Sequence, residues 1–272
     1  MIRLILATAL LTAATATAPQ LSPDQYPSEW KNKGQGRTFV LYRKYDVTAM
    51  SQGQAGSCVG TATAKALELM HGRQFSPEWC YAIGRDLFDE NGPKPGSYCV
   101  YAAQAMRDVG AVPASNYAIL GYDLRKYDAA VARNWQPRGP PVAFRVIAAN
   151  YRSPGYVKIT TWEQLRDAIS QEIPVIVGSS VGFGSRSVQV RSSTGMLRAR
   201  WWSRWSHAMV FCGVSDGKSK RALLLNSWGT DWVTGPKWLG DEPDGSFWIS
   251  KRDCEKMLEQ GDAYAILPIP GI

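Results

Sequence analysis

The sequence predicts an α+β fold: a helical first half, an antiparallel β-rich second half and a cleft where the halves meet. Three observations predict it. Apolar residues recur every three or four positions over residues 58–71 and 100–109, the spacing of one helix face. Short apolar runs at 175–177, 208–211, 222–225, 247–249 and 263–267 are separated by Gly, Ser, Asp or Pro, as strands are. Helices precede strands instead of alternating with them, which excludes a parallel α/β arrangement.

Taken in order, the chain opens with an export signal. Arg3 supplies a positive region, residues 4–14 are apolar apart from two threonines, and small residues follow as Ala14-Thr15-Ala16 and Ala16-Thr17-Ala18. That is the layout of a cleaved signal peptide and is too short for a comfortable membrane span. Residues 1–18 are assigned to it, although a cut after Ala16 avoids leaving Pro19 at the new N-terminus. Residues 19–44 are polar, basic and proline-containing, and are read as an extended arm that is either simply structural or laid over the cleft. A helical lobe then covers 45–140 and a β-rich lobe 141–272, with Gly139-Pro140-Pro141 between them.

Within the first lobe, Val59, Ala62, Ala66, Leu69 and Met70 line one helix face, with Ser57 as cap and Gly72 as stop. The many alanines and threonines predict burial on most sides. The stretch 91–97, rich in Gly and Pro, is a loop, and the helix over 100–109 ends at Gly110. In the second lobe, Thr161-Trp162-Glu163-Gln164 offers a capping box for a helix through Gln171.

Composition bounds the function. The chain has 272 residues, 45% hydrophobic and 20% charged, enough for a large core and unlike disordered or fibrous sequences. A formal charge of +8 favours acidic surfaces and substrates, but no nucleic-acid module accompanies it. No residues have metal-ligand spacing and no glycine loop would cradle phosphate, so neither metal nor cofactor is expected. Five cysteines occur, Cys58, Cys80, Cys99, Cys212 and Cys254. Cys80 and Cys99 flank the loop and could pair, and Cys212 in its apolar run suits a buried free thiol; spacing alone does not decide connectivity.

The chemistry narrows to one thiol and one imidazole. There are two histidines, and His71 ends the helix that Cys58 begins, about 20 Å away at 1.5 Å per residue. A partner for Cys58 must therefore be His207. In the first helical turn, unpaired N–H groups and the helix dipole favour a thiolate, and an adjacent imidazolium lowers a thiol to roughly 3.5–7.5.

The segment Gln52-Gly53-Gln54-Ala55-Gly56-Ser57-Cys58 resembles the active-site signature of the papain-like cysteine peptidases, in their bacterial and viral branch. Ser206-His207-Ala208-Met209-Val210 resembles that family's histidine strand. Asn226-Ser227-Trp228-Gly229-Thr230-Asp231-Trp232 resembles its asparagine segment. The resemblance spans about residues 45–267 and implies a two-lobed fold with the active site in the cleft. It makes Cys58 the nucleophile, His207 its proton partner and Asn226 the residue orienting the imidazole. It makes Gln52 an oxyanion donor, places Trp228 over the His207–Asn226 contact, and matches Gly96 to a glycine whose backbone pairs with bound peptide. An exported monomer acting on protein or peptide follows, without nucleic acid and without stable membrane association after signal removal.

Some positions depart from the family. Ala55 stands where a disulfide cysteine is usual, Val59 replaces an aromatic, and Gly96 alone represents a paired glycine motif. Cys58 also leaves no room for the family's long inhibitory pro-segment. In an extended strand Trp201, Ser203, Trp205 and His207 share a face, so Trp205 is either a substrate contact or part of a hairpin packed on the core. Two other functions fit the residues: an exported cysteine amidase or transpeptidase acting on cell-wall peptide, and a non-catalytic binding protein on the same fold.

Overall fold

The computed structural model describes residues 25–88, 91–184, 187–200 and 205–272. The export segment at 1–18, the beginning of the arm, and Trp201 and Ser203 lie outside the described residues. A short strand, β1 (Thr38–Val40), precedes three helices, α1 (Cys58–His71), α2 (Pro77–Leu87) and α3 (Cys99–Asp108). The hairpin β2 (Asn116–Tyr117) and β3 (Tyr122–Asp123) follows, then α4 (Ala129–Trp135) and α5 (Phe144–Ala148). The second half runs β4 (Tyr156–Lys158), α6 (Trp162–Ser170), β5 (Val175–Ser179), β6 (Gln189–Val190), β7 (His207–Ser215) and β8 (Arg221–Leu225). It ends with β9 (Val233–Thr234), β10 (Ser246–Ser250), α7 (Lys251–Leu258) and β11 (Ala263–Ile266).

Seven strands form one antiparallel sheet in the order β10-β8-β7-β5-β11-β4, with β1 pairing β7. Thr38 lies opposite Ser215 and Val40 opposite Gly213. Part of the expected arm is thus built into the sheet, because its Thr-Phe-Val triplet is a good strand former. All nine residues of β7 are buried, which suits a central strand with α1 and α6 packed against it.

Helix α1 starts and stops where its periodicity predicts. Every residue from Val59 to Met70 is buried. Gly60 permits this, because a Cβ there would lie 2.4 Å from the Pro77 carbonyl oxygen and 2.5 Å from Tyr81 Cβ. The chain leaves the helix at Gly72 with φ 64°, a left-handed geometry that suits glycine. The expected cap differs. The Ser57 hydroxyl makes no capping bond; it pairs with Tyr127 Oη at 2.6 Å instead.

Helix α2 has a start signal in the sequence that the periodicity reading passed over. Ser76 Oγ accepts from the Trp79 amide at 3.1 Å, Pro77 fills the first helical position and Glu78 follows. At α6, Thr161 caps as expected, accepting from the Gln164 amide at 3.2 Å. The return bond of the box reaches one residue further back, from the Thr160 amide to Gln164 Oε1.

The open question of pairing among the cysteines is answered: all five are free thiols. Cys80 is buried within α2, whereas Cys99 opens α3 with its sulfur toward Gly178 of β5. Cys80, Cys99, Cys212 and Cys254 are fully buried. No described helix is long and apolar enough to cross a membrane.

At the far end of α1, His71 Nε2 accepts the Ile269 amide at 3.2 Å. Burial holds its pKa below the ordinary histidine value, with Lys44 acting in the same direction. A lowered pKa means that folding favours the neutral ring. Its contribution is complete above the unfolded value of about 6.5 and is lost as pH falls through that value toward the folded one. Wild-type protein is expected to lose more melting temperature between pH 7.5 and pH 5 than a His71→Asn variant. Equal losses in differential scanning calorimetry would show that His71 is not a titrating anchor.

Candidate active site

The β7–β8 pairing brings two of the predicted residues to one end of the sheet. Val210 lies opposite Leu225, so His207 at the start of β7 and Asn226 just after β8 project from the same edge. His207 Nε2 and Asn226 Oδ1 are 2.7 Å apart. The neighbouring Ser227 amide also meets Asn226 Oδ1, at 2.7 Å. An amide N–H needs an acceptor, so that atom must be the carbonyl oxygen. His207 Nε2 therefore carries its proton and donates it, leaving Nδ1 as the imidazole's basic nitrogen. Asn226 Nδ2 is buried without a hydrogen-bond partner among the described residues, so the orientation rests on Oδ1 alone.

Cys58 enters the same region from the helical half as the first residue of α1. It is partly buried and lines a cleft of about 760 Å³ that His207 and Ala208 also line. Burial pushes its thiol above the ordinary value of 9.0. The backbone N–H groups of Ala208, Val59 and Cys58 itself pull the other way, while Asp262 adds to the rise. Desolvation of the sulfur thus opposes the amides that face it.

Gln52 is buried and anchored on three sides. Its amide donates to the Ser227 carbonyl at 2.8 Å, its Nε2 donates to the Ala55 carbonyl at 2.8 Å, and its Oε1 accepts from Ser227 Oγ. Tyr127 Oη donates to its main-chain carbonyl at 3.1 Å. Nε2 carries two hydrogens and the Ala55 bond uses one, so a second donor remains on a side chain held six residues before the thiol.

Aromatic rings cover the imidazole. Trp228 lies 4.5 Å from His207, centroid to centroid, and Trp205 stacks on both, 5.6 Å from His207 and 5.0 Å from Trp228. Trp232 stands edge-on to the two tryptophans. Trp228 remains partly exposed. Trp205 is 9% exposed and does not line the cleft. Of the two readings open for it, packing on the core is the one its contacts favour: His207 and Trp228, themselves 4.5 Å apart, both lie against its ring.

Gly96 does line the cleft, with φ 105°, but its backbone is engaged within the protein. Its amide donates to Tyr81 Oη at 3.1 Å and its carbonyl accepts from Arg85 Nη1. A single N–H makes one good bond, so peptide pairing there would have to displace the tyrosine. Sequence patterns did not mark Asp262, which also lines the cleft; a lone acid before a strand has no local signature. Among the described residues, no group of three His, Cys, Asp or Glu side chains could hold a metal ion.

Solved structures resemble this arrangement over most of the chain. Xylellain, a cysteine protease from Xylella fastidiosa, is 18% identical with a TM-score of 0.59, covering 86% of each chain. Digestive procathepsin L 3 from Tenebrio molitor larval midgut is 18% identical with a TM-score of 0.57, over 90% of this chain and 74% of that one. Amb a 11, a cysteine protease and major ragweed pollen allergen in its proform, gives 0.53 at 16% identity, over 85% and 65%. The chain therefore has the papain-like α+β fold. No protein-family model and no curated protein matches its sequence.

With burial raising the Cys58 thiol, a neighbouring imidazolium is the group that would favour its thiolate. In a His207→Ala variant, alkylation of Cys58 by iodoacetamide at pH 7 is expected to fall by roughly 100-fold, since one pKa unit is tenfold in thiolate. An unchanged rate–pH profile would remove His207 as its partner.

Proposed function

We propose that this chain is a cysteine-type peptidase that hydrolyses peptide bonds through Cys58, His207 and Asn226. The observation that carries the reading is the donor–acceptor chain from the Ser227 amide through Asn226 Oδ1 to His207 Nε2, in the cleft that Cys58 lines. It leaves Nδ1 as the nitrogen able to take the thiol proton. The names of the similar solved structures support the same class of chemistry.

The reaction follows from that tautomer. Cys58 passes its proton to His207 Nδ1 and the resulting imidazolium stabilises the thiolate, offsetting the burial that raises the thiol. The thiolate attacks the scissile carbonyl, and the oxyanion is held by the Cys58 amide and the remaining Gln52 Nε2 hydrogen. His207 returns the proton to the leaving amine, and the Cys58 thioester remains. Water then attacks the thioester with His207 as base, releasing the acid and restoring the thiol. Trp228 and Trp205 keep water from the His207–Asn226 bond, whose strength depends on a dry surround.

Export belongs to the same proposal. The four other thiols are fully buried, which leaves Cys58 as the reachable sulfur in an oxidising compartment. N-terminal sequencing of protein recovered outside the cytoplasm would test it; an uncut Met1 would count against it.

Treatment with a peptidyl epoxide is expected to give one adduct by intact mass, mapping to Cys58 and absent from His207→Ala. Unmodified protein, or an adduct on another cysteine, would overturn the assignment. Hydrolysis of denatured protein and not of purified peptidoglycan separates a peptidase from a cell-wall amidase. Gln52→Ala is expected to lower kcat by roughly 100- to 1,000-fold, with KM near normal; a negligible change would remove Gln52 from the oxyanion site.

A further inference from the structure

The two donors assigned to the oxyanion, the Gln52 side chain and the Cys58 amide, stand at opposite ends of one turn. Between them lie Gly53, with φ 58°, and Gly56, and glycine by itself holds a backbone conformation only loosely. Ser227 anchors Gln52 from the β-rich half, and α1 carries Cys58. The turn must set the spacing of the two. Within it the Ala55 amide reaches the Gln52 carbonyl at 3.4 Å, a long bond.

Tyr127 Oη spans both ends. It donates to the Gln52 carbonyl at 3.1 Å and lies 2.6 Å from Oγ of Ser57, the residue immediately before the thiol. A phenol has one proton. Given to the carbonyl, it leaves Oη as an acceptor, so Ser57 donates to Tyr127 and Tyr127 to Gln52. Each bond in such a chain polarises the next. Burial pushes the phenol up to about 12, so the proton stays in place at neutral pH. Ser57 is fully buried and its hydroxyl caps no helix amide.

Tyr127 is itself held from behind. The Asp128 amide donates to Glu78 of α2 at 2.7 Å, and the Asp128 carboxylate caps α4. The Tyr127 ring packs with Ala129 against Ala55, Tyr81 and Ala132. It does not line the cleft, which separates it from the substrate-binding surface.

We propose that Tyr127 is a positioning residue for the oxyanion site: its hydroxyl fixes the spacing of the Gln52 side chain and the Cys58 amide. This rests on the peptidase reading above. Misplacing a group at a reacting centre by about 1 Å can cost on the order of 100-fold in rate. A phenol that only stabilised the turn would not slow the oxyanion-forming step selectively.

The test removes the hydroxyl and keeps the ring. In Tyr127→Phe, kcat on a peptide substrate is expected to fall about 10-fold with KM near normal, the scale of one lost hydrogen bond. Alkylation of Cys58 by iodoacetamide builds no oxyanion, so its rate is expected to stay within about twofold of wild type. Ser57→Ala, which cuts the chain at its other end, should lower kcat in the same selective way. Gln52→Ala keeps the main-chain carbonyl but removes the group being positioned, so adding Tyr127→Phe to it should slow hydrolysis no further. Three results overturn the proposal: an unchanged kcat in either single variant, iodoacetamide alkylation that falls in step with kcat, or a full further loss on the Gln52→Ala background. Absence of peptide hydrolysis by the wild type would instead overturn the peptidase reading on which the proposal rests.

Discussion

The two halves of the site are held together by the turn after β8 docking on the segment that leads into α1. The Gln52 amide bonds the Ser227 carbonyl, the Gly229 amide bonds the Met50 carbonyl at 3.0 Å, and Ser51 bridges to Trp228. Each such bond contributes only about 0.5–1.5 kcal/mol net, but leaving a buried amide unpaired costs more. The docking therefore has one register. That register places the head of a helix from the first half beside the edge of a sheet from the second. The thiol, the imidazole and the asparagine take their mutual positions from it.

Two opposed effects act on the site so formed. Burial disfavours the thiolate, and the amides of Ala208, Val59 and Cys58 do not fully compensate. The same dryness strengthens the His207–Asn226 bond beneath its covering tryptophans. A sulfur so buried needs a neighbouring cation to ionise. Asp262, which also lines the cleft, works against the thiolate.

Some of this was legible in the primary sequence because it is local. The three-and-four spacing from Val59 to Met70 set α1, and Gly72 ended it at a left-handed φ. The apolar runs marked β5, β7, β8, β10 and β11 to within a few residues. The order of Cys58, His207 and Asn226, with their flanking residues, pointed to a thiol–imidazole site before any geometry was available. What local patterns do not show is what a side chain finds across space. Ser57 found Tyr127 instead of its own helix start, Gly96 found Tyr81 and Arg85, and Trp205 found the imidazole and Trp228.

What the sequence determined by itself was therefore α1, α3, α6, five of the strands and the chemistry its residues could support, since periodicity, caps and short motifs act over a few neighbouring positions. What only the tertiary structure decided was which groups meet: the tautomer of His207, the anchoring of Gln52, the free state of five thiols and the exposure of Asp262 to the cleft. Those outcomes depend on contacts between residues far apart in the chain, such as the 175 positions that separate Gln52 from Ser227. No local pattern encodes them, because each is settled by how the whole core packs.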